Sequence, residues 1–259
     1  MQSNPVTAWG VYAVWRRHAR VYQKTWLINS LPPLSEPLIY LVAFGYGLSP
    51  LVGEVTYQTR TVSYLTFLAP GMMAVAVLFQ SFFEGAYGSF IRLSFQKTWR
   101  ALLTSPLTFT EVFLGDLLWA TSKGILAGVL TGLLAAAWGL YSLGELVLSL
   151  PTMGLGSLLF AAAGLLTAGT VRTVDQINIP VFTFVVPMFT FCGTYFPRET
   201  LPAALGQMAA VLPLSALVDL LRWPLGVPGW WELSLGWLLL WTAVLSVLAW
   251  RQIYPQLFQ

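Results

Sequence analysis

The sequence contains few of the residue types on which most catalytic and metal sites depend. Its 259 residues include a single cysteine, Cys192, and a single histidine, His18. One cysteine can form neither a disulfide framework nor a cysteine zinc site within one chain. One histidine argues against a histidine-based catalytic triad and against a multi-histidine metal site. We therefore expect no catalytic residues, no metal and no resident cofactor.

Charged residues are also scarce. They make up 9% of the chain against 57% apolar residues, whereas soluble domains are about a quarter charged. A soluble fold of this length could not cover so much apolar material with polar surface, so the excess must face lipid. The net charge of +3 is small, and the basic residues are not spread as those of a nucleic-acid-binding patch would be. Nucleic acid is therefore not an expected partner.

Two motifs that would indicate enzymatic chemistry are missing. No G-x-x-x-x-G-K-[ST] occurs, so the chain has no phosphate-binding loop of its own. Its ten acidic residues are scattered singly, without the D-D-x-x-D pattern of a membrane transferase. If the chain takes part in an ATP-driven process, ATP and Mg²⁺ are expected to bind to a separate subunit.

Six stretches are apolar over about the 20 residues that a membrane-spanning helix needs. We predict an all-α membrane protein whose residues 1–259 form a single transmembrane domain. Thr110 and Glu111 are predicted to start the third span as its N-cap and first-turn acid. Gly124, Gly128 and Gly132 form a ridge of small residues, which usually packs helices within one subunit. The predicted spans are residues 31–51, 62–90, 111–140, 145–171, 177–195 and 232–251.

Residues 1–28 are predicted to form an amphipathic helix. Small and aromatic residues recur there at spacings of three and four, and basic residues lie on another face. Such a helix suits the headgroup region of a membrane. A soluble helix docked on another subunit is the alternative. The two sets are Ala8, Tyr12, Trp15, Ala19, Tyr22 and Trp26, and Arg16, Arg17, Arg20 and Lys24.

The basic residues also predict the orientation. With the N-terminus in the cytoplasm and six crossings, nine of them fall on the cytoplasmic side and three fall outside. Because positively charged loops stay in the cytoplasm, both termini are predicted to be cytoplasmic. The nine are Arg16, Arg17, Arg20, Lys24, Arg92, Lys97, Arg100, Arg172 and Arg251.

Two connections between spans have a helical pattern of their own. Residues 96–107 join spans two and three and are basic and aromatic, with a helix that Pro106 ends. A soluble partner could bind such a helix; a connector lying flat on the membrane is the alternative. Residues 199–222 lie between spans five and six, where prolines leave helices of about ten residues. These are predicted to re-enter the outer leaflet or to cap the spans.

Four charged residues, Glu36, Glu84, Asp116 and Lys123, lie within or next to predicted spans, where each is costly. Asp116 and Lys123 are seven residues apart and share a helical face, and Glu84 lies near the cytoplasmic end of span two. We expect Glu84 or Asp116 to pair with Lys123 inside the protein. The alternative is that Lys123 extends to the interface while the acids lie at headgroup depth.

Several short stretches, in the order of the predicted spans, carry a resemblance that covers nearly the whole chain. They are Glu36-Pro-Leu-Ile-Tyr-Leu, Phe67-Leu-Ala-Pro-Gly71, Phe83-Glu-Gly-Ala-Tyr-Gly-Ser-Phe-Ile-Arg92, Phe95-Gln-Lys-Thr-Trp99, Leu114-Gly-Asp-Leu-Leu-Trp119 with Lys123, Gly193-Thr-Tyr-Phe-Pro197 and Leu212-Pro-Leu-Ser-Ala-Leu-Val-Asp-Leu-Leu-Arg222. Together these stretches resemble the type-2 ABC export permeases, which include exporters of lipo-oligosaccharides, polysaccharides and drugs.

The resemblance implies roles that spacing alone cannot show. Residues 1–28 would be the family's interface helix, 96–107 would hold its coupling helix, and 199–222 would be its outer helices. Two copies would pair in the bacterial inner membrane, each binding one ATP-hydrolysing subunit. The residues expected to contact the ATPase are Gln96, Lys97, Thr98, Trp99, Arg100 and Leu103.

The expected function is therefore that of an export permease for an amphipathic, lipid-linked or glycan-bearing substrate. Phe79, Phe83, Phe182 and Phe189 are candidates for lining its path; lipid contact is the alternative for each. A carrier driven by an ion gradient is the second expectation for the function. Such a carrier would show inverted repeats and mid-membrane acids, and neither is evident in the sequence.

Overall fold

The predicted fold class, an all-α membrane protein, is confirmed. A computed structural model describes residues 5–57, 60–226 and 231–258 of the chain. The first four residues of the predicted amphipathic helix lie outside this range. Within the described residues, β structure is limited to one short hairpin.

The N-terminal part of the chain consists of two helices and this hairpin. Helix α2 continues through a wider, π-helical segment at Ala43–Leu48 and ends at Val52. The hairpin pairs Glu54 with Ser63, and the sequence did not predict it, because each strand has only four residues and β2 shows little alternation. The elements are α1 (Ala8–Lys24), α2 (Trp26–Val42), β1 (Glu54–Tyr57) and β2 (Arg60–Ser63).

Eight helices follow the hairpin in the described part of the chain. They are α3 (Tyr64–Phe95), α4 (Thr98–Leu103), α5 (Phe109–Ala137), α6 (Leu143–Thr170), α7 (Val174–Phe191), α8 (Ala203–Val211), α9 (Pro213–Arg222) and α10 (Trp231–Phe258). Helix α3 is α-helical to Phe83 and contains π-helical turns at Glu84–Gly88 and Ile91–Phe95.

Five of the described helices are long and apolar enough to cross a membrane: α3, α5, α6, α7 and α10. Helices α8 and α9 meet at an angle of 85° and together could form a sixth, broken span or a re-entrant loop. The predicted first span is shorter than the others, because its described apolar part covers only Pro37–Val52.

The starts of α5 and α6 are set by two capping boxes. Thr108 accepts a hydrogen bond from the amide of Glu111, whose carboxylate in turn accepts one from the amide of Thr108. Ser142 and Glu145 repeat this arrangement at the start of α6. The predicted N-cap at Thr110 is therefore wrong, although the T-x-x-E spacing from Thr108 was a signal that could have located it.

Helices α3, α5 and α6 form the centre of the bundle. The predicted small-residue ridge on α5 packs within the chain, as expected. A Cβ atom at Gly124 would lie 2.7 Å from the Ser157 hydroxyl of α6, and one at Gly128 would lie 2.7 Å from Val77 of α3. Helix α10 packs on α6, whereas α7 leaves side chains such as Phe182 largely exposed.

Candidate functional site

Two clusters of polar side chains lie at opposite ends of α3. One contains Glu84 and the other contacts the carbonyl of Phe67, which places them about 25 Å apart at ~1.5 Å per helical residue. The first is called the charge cluster. The second is called the Arg222 cluster and consists of Tyr57, Phe67, Arg198, Asp219 and Arg222. The charge cluster consists of His18, Glu84, Arg92, Asp116 and Lys123.

Asp116 lies at the centre of the charge cluster, and it is fully buried. Its Oδ1 lies 3.0 Å from His18 Nε2 and 2.9 Å from Arg92 Nε. Its Oδ2 accepts a hydrogen bond from Trp99 Nε1 at 3.2 Å. A buried carboxylate is tolerated only when it is paired or hydrogen-bonded. Here Oδ1 lies beside the Arg92 guanidinium and the His18 ring, and Oδ2 has the hydrogen bond from Trp99.

Glu84 is the second carboxylate of the charge cluster. Arg92 Nη1 lies 2.8 Å from its Oε1, and Trp119 Nε1 donates to the same oxygen at 2.9 Å. Lys123 Nζ lies 3.6 Å from Oε2 and 4.9 Å from the centre of the Tyr22 ring. Lys123 thus lies beside Glu84 inside the bundle, while Asp116 is paired with Arg92 and His18. The sequence had not suggested that Arg92 and His18 belong to this cluster.

Helix α1 docks on the first turns of α5 in the same chain. Thr7, its N-cap, donates its amide and its hydroxyl to Glu111 at 2.8 and 2.6 Å. Trp15 Nε1 donates to the Ser122 hydroxyl at 2.9 Å. Val14 is buried against Gly115, where a Cβ atom would lie 2.5 Å from the Val14 Cβ. The basic residues predicted for one face are exposed on the side away from the buried residues: Arg16, Arg17, Arg20 and Lys24.

The six residues predicted to contact an ATPase divide into two groups. Gln96, Lys97 and Arg100 are exposed at the start of α4. The other three face the protein: Thr98 and Trp99 are buried, with Trp99 only 1% exposed, and Leu103 is half-buried. The Trp99 indole therefore positions α4 from inside and is not available to a partner on this surface.

Aromatic rings form a continuous series along α3, α7 and α2, called here the aromatic ladder. Neighbouring ring centres are 5.3 to 6.2 Å apart. The members are half-buried, so each ring keeps a face open to its surroundings. In order they are Tyr87, Phe83, Phe79, Phe189, Tyr195, Phe44 and Tyr40.

Three of the four predicted path residues, Phe79, Phe83 and Phe189, are neighbours in this ladder. Phe182 lies apart from it and is 69% exposed. The sequence could not supply the tyrosines of the ladder, since Tyr195, in the segment after α7, comes between Phe189 and Phe44 only in the folded chain.

The Arg222 cluster joins the hairpin to α9. The Arg222 guanidinium is buried 3.7 Å from the centre of the Phe67 ring and donates to the Gly193 carbonyl at 2.6 Å. Asp219 accepts hydrogen bonds from Tyr57 at 2.7 Å and from Arg198 at 2.6 Å. Burial, together with the charge of Asp219, raises the pKa of Tyr57 to about 12.

Within the described residues, no group of three or more His, Cys, Asp and Glu side chains could hold a metal ion. The side chain of Cys192 is buried, and burial raises the pKa of its thiol to about 11. Neither the charge cluster nor the Arg222 cluster resembles a metal centre. Their carboxylates, Glu84, Asp116 and Asp219, are each already paired with a basic side chain of the chain.

Comparison with known proteins identifies relatives over most of the sequence. The family model of the ABC-2 type transporter matches residues 10–225. Nodulation protein J of Bradyrhizobium diazoefficiens is 34% identical over 218 residues, which are 84% of this chain and 82% of the relative. Nodulation protein J of Rhizobium leguminosarum bv. trifolii is 37% identical over 210 residues, 81% of this chain and 79% of the relative. The inner membrane transport permease YadH of Escherichia coli is 25% identical over 189 residues, 73% of this chain and 72% of the relative.

Proposed function

Because the chain belongs to the ABC-2 type transporter family, as its resemblance predicted, we propose that it is the permease subunit of an ATP-driven exporter. It is a multi-pass membrane protein that serves as the transport subunit, and ATP is hydrolysed by a separate ATP-binding cassette subunit. Two copies pair in the bacterial cytoplasmic membrane. The charge cluster and both termini face the cytoplasm, in line with the positive-inside rule. The likeness to YadH, an inner membrane transport permease, supports the location in the cytoplasmic membrane.

The aromatic ladder is the observation that carries the proposed cargo class. An amphipathic molecule with a lipid or glycan part needs a path with both apolar surface and hydrogen-bonding groups. Phenylalanine rings supply the first, and the hydroxyl of Tyr40 supplies the second. An apolar hollow of about 370 Å³, lined in part by Leu41 and Gly45, which follow Tyr40 and Phe44 in the chain, is open to the outside of the bundle. It could hold part of a hydrocarbon chain.

The exposed start of α4 supports the proposed contact with the ATPase. Lys97 and Arg100 project from a short helix whose buried side is held by Trp99. Two cations on a rigid, solvent-facing helix suit an acidic surface of a soluble partner. We therefore place the ATPase at Gln96, Lys97 and Arg100, with Thr98, Trp99 and Leu103 holding the helix in place.

An ion-gradient carrier is the second candidate, and the charge cluster favours it less. A coupling ion or proton needs an acid that can change its partners along the path. Glu84 and Asp116 are both bound by cations and tryptophan N–H groups of the chain, at one end of α3. The aromatic ladder contains no acid.

The test is purification of a tagged chain in detergent with identification of the proteins bound to it. We expect a stoichiometric ATPase that is lost in the double variant Lys97→Ala with Arg100→Ala and kept in Arg172→Ala, an exposed cation elsewhere. Amphipathic molecules that co-purify are then identified by mass spectrometry. They should be depleted in Phe79→Ala and Phe189→Ala but not in Phe182→Ala. A chain that purifies without any ATPase would favour the ion-gradient carrier.

A further inference from the structure

One carboxylate holds four separate segments of the chain together. Asp116 belongs to α5 and receives His18 from α1, Arg92 from the end of α3 and Trp99 from α4. The three partners of Asp116 come from three different helices. Within the described part of the chain, Asp116 is the only side chain with polar contacts to both α1 and α4.

Burial makes these three contacts depend on one another. The Asp116 side chain is 1% exposed and that of His18 is 6% exposed, so water cannot replace a donor that moves away. An ionised carboxylate left with fewer partners in such a place is strongly unfavourable. A displacement of α4 that withdraws Trp99 therefore favours a joint movement of α5, α1 and the end of α3, in which all partners stay together.

The neighbouring carboxylate offers a natural comparison. Glu84 is bound by Arg92, Trp119 and Lys123, which belong to α3 and α5. Within the described part of the chain, no residue of α1 or α4 forms an ion pair or a hydrogen bond with Glu84. Glu84 thus binds only residues of α3 and α5, whereas Asp116 also binds residues of the two peripheral helices, α1 and α4.

We propose that Asp116 is a positioning residue that makes α1 and α4 move as one body when the ATPase acts on α4. The proposal deepens the proposed function and rests on it for the role of the ATPase. The joining of α1 to α4 through Asp116 is a property of the permease alone and can be measured without nucleotide.

The first experiment measures amide hydrogen exchange in the purified permease in lipid nanodiscs. In Asp116→Asn, exchange should rise at least about threefold both over residues 8–24 and over residues 98–103. Asp175→Asn makes the same change at an exposed position and should alter neither segment. Glu84→Gln should affect these two segments less than Asp116→Asn does. A rise in only one of the two segments, or in neither, overturns the proposal.

The second experiment uses Trp99→Phe, which removes the indole N–H together with one ring of the indole and keeps a single aromatic ring beside Phe109 and Phe113. His18 and Arg92 still hold Asp116, so exchange over residues 8–24 without nucleotide should equal that of the wild type. The complex with its ATPase is then trapped with MgATP and orthovanadate. In the wild type, exchange should change over both segments. In Trp99→Phe it should change over residues 98–103 only, with ATP hydrolysis within about twofold of the wild type.

The outcomes separate the two proposals. A wild-type response of residues 8–24 in Trp99→Phe would show that Asp116 does not carry the movement. If no ATPase binds the wild-type chain, the proposed function fails, while the exchange measurement on Asp116→Asn still decides whether α1 and α4 are joined.

Discussion

Gly71 of α3 lies directly against the backbone at Thr194, in the turn after α7. A Cβ atom at Gly71 would lie 2.5 Å from the Thr194 carbonyl oxygen and 3.1 Å from its Cα. The Arg222 guanidinium donates to the carbonyls of Phe67 and Gly193, on either side of this contact. The two stretches Phe67–Gly71 and Gly193–Pro197, which carried part of the family resemblance, thus meet in the structure because only a glycine allows their backbones to approach so closely.

Substitution of Gly71 by alanine should destabilise the protein by about 1–3 kcal/mol, because the added methyl group overpacks a backbone contact that cannot yield. Thermal unfolding in detergent measures the effect. Gly236→Ala is the matched control, since a Cβ atom there has no neighbour within 4 Å; it should be neutral or slightly stabilising in a helix. Equal melting temperatures for the two variants would contradict the contact.

Arg222→Lys should destabilise the protein by about 3 kcal/mol. A lysine retains the buried charge, but its side chain is one atom shorter than the path to the Arg222 Nη2 that bonds both carbonyls, and it has no planar group to stack on the Phe67 ring. Arg222→Met should cost less, because it also removes the charge from the interior. The exposed pair Arg172→Lys and Arg172→Met serves as control. The prediction is wrong if lysine is tolerated better than methionine at position 222.

Stability should fall at alkaline pH, and Tyr57 should contribute to the fall. The pKa of Tyr57 is raised from 10.0 to about 12 by burial and then by Asp219. A raised folded-state pKa means that this contribution is fully present below pH ~10 and is lost as the pH rises toward 12, by at most about 3 kcal/mol. Melting temperatures of the wild type and Tyr57→Phe are compared from pH 8 to 11.5. Their difference should shrink above pH ~10; a constant difference would exclude this role.

Gly115→Ala should loosen α1 from α5, since the new methyl group would overlap Val14. Limited trypsin digestion after the exposed Arg16 and Arg17 measures the release, and cleavage should be faster by about fivefold, which corresponds to ~1 kcal/mol of lost docking energy. Gly154→Ala is the control, because its nearest neighbour would be 3.9 Å away. Identical digestion rates would show that α1 is held without this close approach.

Lys97 has a left-handed backbone, with φ of 51°. A residue with a Cβ atom is strained in this region by about 1 kcal/mol, and glycine is not. Lys97→Gly should therefore unfold at a higher temperature than Lys97→Ala. Both variants lack the positive charge, so both should bind an ATPase equally weakly. A difference in ATPase binding that follows the difference in stability would show that the backbone, and not the charge, matters for the contact.

The fold class and most of the spans followed from the sequence, because they depend on local properties. A run of about 20 apolar residues must be helical in lipid, whatever its neighbours are. The ridge of Gly124 and Gly128 likewise indicated packing within the chain. The hairpin at Glu54–Ser63 was missed, since its strands are short and obtain their stability from the Tyr57 contact with Asp219 on a distant helix.

The composition of the charge cluster was decided by tertiary structure. Residue spacing placed Asp116 and Lys123 on one face of a helix, and it identified Glu84 as a neighbour. It could not show that His18 lies beside the same carboxylate to which Trp99 donates, because that depends on how α1 and α4 pack on α5. The aromatic ladder was also decided by tertiary structure. Its phenylalanines were visible in the sequence, but its rings form a series only when α2, α3, α7 and the segment after α7 meet in the folded chain. The sequence by itself therefore determined the fold class, an all-α membrane protein, since lipid acts on each apolar segment independently. Only the packed structure decided which side chains meet, since each contact requires two distant segments at once.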